Sequence, residues 1–108
     1  MPGFEWPEAH LKGRHLLTPP VLGDVLSLRC EPSETLTLIW RSSRYRKAAY
    51  YHVVVVSTTT DEAIVSKRPM RWVMVPHFLE SCGVTELVSS EVGGVTPRQA
   101  EWLRAGQM

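Results

Sequence analysis

Three observations predict an α+β fold: a small, mostly antiparallel β-sheet or partial barrel, followed by a C-terminal helical hairpin or triplet. Two runs in which apolar residues recur at every second position, "VLSLRCE" and "TLTLIW", are split by a short polar "PSE". Period two is the signature of a half-buried strand. Behind them stands "YYHVVVV", rich in the aromatic and β-branched side chains that a pleated surface packs best. From residue 76 the punctuation becomes helical, with proline at starts and glycine at ends. At 108 residues, 44% hydrophobic and 21% charged, the chain has the size and composition of one globular domain. Its expected parts are an irregular arm (1–20), a β-rich part (21–75) and a helical part (76–106).

Pro2, Pro7, Pro19 and Pro20 define the arm, because proline lacks the N–H that a helix interior or a central strand uses. Phe4 and Trp6 would pin this arm to the body or meet a partner. In the first strand Val25, Ser27 and Arg29 alternate with Leu26, Leu28 and Cys30. Pro32 and Ser33 then supply turn chemistry. Leu36, Leu38 and Trp40 share one face of the second strand, so the two strands make an antiparallel hairpin. "YYHVVVVST" reads as a strand buried on both faces, "TTDE" turns the chain, and "AIVSKR" is a short following strand. "MRWVMV" is either a last strand or the lead-in to a helix.

In the helical part, Pro76 opens "PHFLESCG" and Gly83 closes it in the position where glycine accepts left-handed geometry. A second helix is expected from Thr85 as N-cap, with Leu87, Val88 and Val92 facing inward. A third carries Thr96 as N-cap, Pro97 at its first position and Gly106 as its stop.

Residues 85–106, "TELVSSEVGGVTPRQAEWLRAG", resemble the helix-turn-helix family of DNA-binding proteins. The match runs through Val88, Ser89, Val92 and Gly93, then Val95, Thr96, Ala100, Trp102 and Leu103, and it needs a one-residue insertion at Gly94. The resemblance implies a second helix lying in the major groove, with Thr96, Arg98 and Gln99 at its outward start. Arginine pairs bidentately with guanine and glutamine with adenine, so these residue types suit base reading. A second resemblance, of "FLESCGVTELVSSEVG" to the nitrogenase-cofactor carrier and assembly family, implies instead a strand over residues 84–88 and Cys82 as a ligand.

The stretch "WRSSRYRKAAYYH" adds Arg41, Arg44, Arg46 and Lys47, interleaved with aromatic residues. Such cations hold phosphates, and such rings stack on unpaired bases. The formal net charge is only +1, so attraction to nucleic acid would come from this local cluster and not from a whole-protein field.

Other chemistries find little support. The four histidines have neither the i, i+4 spacing nor a nearby cysteine that a metal site needs, and the two cysteines, far apart in sequence, read as reduced thiols. No G-x-S-x-G or phosphate-binding glycine loop is present. No run reaches the ~20 apolar residues that span a bilayer, and residues 1–17 lack the apolar core of a signal peptide. The expectation is therefore a small cytoplasmic regulatory or accessory protein without catalytic activity, cofactor or metal. It would bind DNA through Thr96, Arg98 and Gln99, with Arg41, Arg44, Arg46 and Lys47 on the backbone. The competing expectation is a protein–protein adaptor or inhibitor that docks through its sheet and its aromatic residues Phe4, Trp6, Trp40 and Trp72. An exposed sheet edge would also allow a homodimer.

Overall fold

The computed structural model describes residues 10–31, 35–41, 48–57, 59–60, 62–65 and 68–106. Five strands form one antiparallel sheet: β1 (Val25–Glu31), β2 (Thr35–Arg41), β3 (Tyr51–Ser57), β4 (Ala63–Val65) and β5 (Glu86–Gly93). Their order across the sheet is β4-β3-β2-β1-β5, so the first four make a meander and β5 returns to the free side of β1. Helix α1 (Val75–Ser81) stands between β4 and β5 in the chain, and α2 (Pro97–Gly106) follows β5. The sheet stays open, with β4 and β5 at its ends, and no pairing among the described residues closes it into a barrel.

Alternation along the central strands creates two cores, one on each face. Leu26, Leu28 and Cys30 of β1, Ile39 of β2, and Tyr51, Val53 and Val55 of β3 share the first, which α1 covers with Val75 and Leu79. Leu11, Val84 and Leu87 complete it. On the other face Val25, Leu38, Trp40, Val54 and Val56 pack together, joined by Leu36 and by Leu103 of α2. The β3 run "VVVV" is thus buried on both sides, as its unbroken apolar sequence requires. Thr37 is fully buried on the first face, where it accepts a hydrogen bond from Cys30 Sγ at 3.4 Å.

The helix boundaries follow their sequence signals. A 3-10 turn, Trp72–Met74, leads into α1, which has Pro76 in its first turn. Gly83, at φ 89°, ends it, and the Val84 N–H donates back to the Leu79 carbonyl at 3.0 Å in a Schellman-type closure. Of the expected arm, residues 10–20 are described, and they are less irregular than expected. Lys12 bridges to β5, a 3-10 turn runs over Arg14–Leu16, and Leu11 is buried in the first core.

One element departs from expectation: residues 85–92 are not a helix. The free side of β1 holds a row of backbone donors and acceptors that must be paired, and β5 pairs them from Val25↔Gly93 to Glu31↔Glu86. Thr85 is no N-cap; its N–H donates to the Glu31 carbonyl at 2.8 Å. Of the three residues expected to face inward, only Leu87 is buried, and Val88 and Val92 are each 50% exposed. The C-terminal helical hairpin or triplet is therefore two short helices separated by an edge strand.

Candidate binding surfaces

The expected DNA-reading pair depends on two consecutive helices, and its first half lies in β5. Its second half is α2, whose first turn is closed by a capping box. The Gln99 N–H donates to Thr96 Oγ1, and the Thr96 N–H donates to Gln99 Oε1. Thr96 and Gln99 therefore direct their side chains along the helix end, where they satisfy backbone donors. Arg98 is exposed in the same turn, whereas Gln99 is half-buried. Arg41 ends β2 and is half-buried; Arg44, Arg46 and Lys47 lie outside the described residues.

The aromatic partner set also divides. Trp40 is only 8% exposed, within the second core. Its ring stacks on His52, with centroids 5.1 Å apart and planes 16° from parallel. It is a core residue and not a surface anchor, because β2 turns its Leu36, Leu38 and Trp40 face towards α2. Trp72 is half-buried and meets Tyr51 edge to face at 4.8 Å. Phe4 and Trp6 lie outside the described residues. The stacked His52 has a buried Nδ1 with no hydrogen-bond partner among the described residues, and burial pushes its pKa below the ordinary value.

An open apolar groove of about 340 Å³ lies on the outer side of α1, lined by Met70, Met74, His77, Phe78 and Ser81. The last four stand at i, i+3, i+4 and i+7, which is one stripe of a helix. Val75 and Leu79 form the neighbouring stripe, about 100° round the helix, and enter the core. The helix thus has two apolar stripes, one fully buried and one lining the open groove, where Phe78 also rests half-buried against the first core. Met70 is fixed as the groove's far wall by two 2.8 Å backbone hydrogen bonds with Tyr51. Ser81 Oγ donates to the Phe78 carbonyl at 2.6 Å, which leaves the groove little polar surface. The spacing of Met74, His77, Phe78 and Ser81 shows this stripe in the sequence only where "MRWVMV" is the lead-in to the helix and not a last strand.

Cys30 is buried and Cys82 half-buried, and both are free thiols whose pKa burial raises. No group of three His, Cys, Asp or Glu side chains among the described residues is placed to hold a metal ion. None of their helices is long and apolar enough to cross a membrane. Compared with known protein families, with curated proteins and with solved structures, the chain matches none.

Proposed function

We propose that the protein works by binding another protein, as a small non-enzymatic adaptor or inhibitor, and that the groove on α1 is its docking site. The observation that carries this reading is the second apolar stripe of α1, Met74 and Phe78 with Met70 opposite, which lines the open groove: Phe78 and Met70 are half-buried against the first core, and Met74 takes no part in it. Methionine is unbranched and polarizable, so a methionine-lined surface adapts to the side chains it receives. Concave apolar sites with few polar groups are where ligands and partner side chains lose most water on docking. Exposed Arg68 and Arg71 flank Met70 in the chain, so the partner segment that fits is apolar with acidic residues beside it. Trp72 supports the wall through its contact with Tyr51.

The experiment is affinity capture from nuclease-treated lysate on the immobilised protein, run beside Met74→Glu. Proteins retained by the wild type and lost with Met74→Glu support the groove. Capture that ignores the substitution removes it. A DNA-binding role would now rest on Arg98 and on the positive residues from Arg41 to Lys47, and its ligands would vanish on nuclease treatment for both proteins.

A further inference from the structure

Strand β5 is a sheet edge with unusually little cover. Its outer side is closed only at its start: the Leu87 N–H donates to the Lys12 carbonyl at 2.8 Å, and the Lys12 N–H to the Thr85 carbonyl at 3.3 Å. From Val88 onward no described segment pairs with it. Neither helix shields its faces, and Val88, Ser89, Ser90, Glu91 and Val92 are all exposed. Proteins blunt such edges with lysine, proline, bulges or very short strands. The opposite edge, β4, has three residues. By contrast β5 has eight, with neither lysine nor proline, and its bulge, opposite Arg29 and Cys30, sits at the end that Lys12 already closes.

We infer that a second copy of this chain adds to that edge, β5 against β5, antiparallel and with the two-fold axis at Ser90. The occupant follows from register. Paired residues of an antiparallel ladder lie on the same face of the sheet, so a two-fold perpendicular to it passes midway between a residue and its own copy. An axis at Val88 or Ser89 would bring the second strand into the lane that Lys12 occupies beside Leu87. An axis at Glu91 sets two carboxylates opposite each other, and like charges directly opposite destabilise a ladder. An axis at Val92 leaves only Glu91, Val92 and Gly93 of the strand to pair.

The axis at Ser90 pairs Val88 to Val92 of each copy, and the ladder ends before Gly93, which is level with Leu87 and its Lys12 contact. Ser89 faces Glu91 of the other copy, a hydroxyl opposite a carboxylate, and the half-exposed Val92 meets the bulged, half-exposed Val88 at each end. The product is one sheet continuous across two copies, with the α1 grooves left free.

Light scattering over a concentration series tests this. The mass should rise from 12.2 kDa towards twice that value. Ser90→Lys places two ammonium groups at the axis and should weaken association roughly tenfold or more. Ser89→Glu faces Arg29 within its own chain, so the fold is kept, but it faces Glu91 across the axis and should also favour the monomer. Adding Glu91→Lys to Ser89→Glu reverses the sign of that contact and should restore the dimer. A monomer at every concentration overturns the proposal, as does a dimer indifferent to Ser90→Lys and to the charge exchange. Met74→Glu should leave the dimer intact, which separates this edge from the groove.

Discussion

Thr96 and Gln99 close the first turn of α2 on each other, with the Gln99 N–H 3.1 Å from Thr96 Oγ1 and the Thr96 N–H 3.2 Å from Gln99 Oε1. This reciprocity satisfies two of the donors that every helix start leaves unpaired. Thr96→Ala is therefore expected to lower stability by about 1 kcal/mol, read as a lower denaturant midpoint with an unchanged slope. The loss registers because α2 delivers Leu103 to the second core. If these two residues instead serve to read bases, their replacement will alter nucleic-acid affinity and leave the midpoint where it was.

Gly13 carries a different constraint. Its φ is 74°, and a Cβ there would run into the Leu87 carbonyl oxygen, whose strand Lys12 bridges. Gly13→Ala thus combines the left-handed penalty of roughly 1–2 kcal/mol with a backbone collision. Gly23 is the control: its φ is 98°, yet nothing stands within 4 Å of its Cβ position. Thermal unfolding of the two alanine variants should show Gly13→Ala distinctly less stable. Equal losses would mean that the segment at Lys12 moves aside freely.

Residue patterns explain which parts of this fold are legible in the sequence. The strands β1, β2 and β3 are readable because one or both of their faces are buried, so that Leu26, Leu28 and Cys30 must alternate with more exposed neighbours. The ends of α1 and α2 are readable because Gly83, Thr96 and Pro97 act through local geometry. β5 is hidden for the opposite reason. It is solvated on both faces beyond Leu87, and the bulge at Val88 breaks its period, so Leu87, Val88 and Val92 fall by coincidence at helical spacing. The groove is half legible: His77 and Phe78 follow Pro76 in a helix signal, whereas Met70 and Met74 lie in "MRWVMV", whose pattern fits a strand as well as a helix lead-in. Thr96 is legible as an N-cap, but its reciprocal bond with Gln99 is not, because threonine and glutamine at a helix start suit base reading and a capping box equally well.

His52 gives the protein an acid sensitivity of predictable sign. Burial lowers its pKa from the ordinary value of 6.5, since a charged imidazole stacked on Trp40 loses hydration. The unfolded chain therefore binds the proton more readily than the folded one. Stability from this group is fully present above 6.5 and falls as the pH drops from there through the lowered folded value. Urea midpoints across that acidic window should decline more steeply for the wild type than for His52→Phe, which keeps the stacked ring and removes the titration. Parallel slopes would show that His52 is hydrated when folded.

The two stripes of α1 offer the sharpest contrast. Leu79 is fully buried in the first core, so Leu79→Ala removes apolar contacts and leaves a cavity, an expected loss of about 2–5 kcal/mol. Met74, on the outer stripe, is half-buried beside the open groove. Met74→Ala removes contacts already partly made with water, and surface substitutions of that kind stay within about 0.5 kcal/mol. Chemical denaturation of both variants tests whether the outer stripe is dispensable for folding. Its dispensability is what a docking surface requires, because apolar side chains that do not hold the fold together are available to a partner. A Met74→Ala loss approaching that of Leu79→Ala would make the groove part of the core and withdraw it as a binding site.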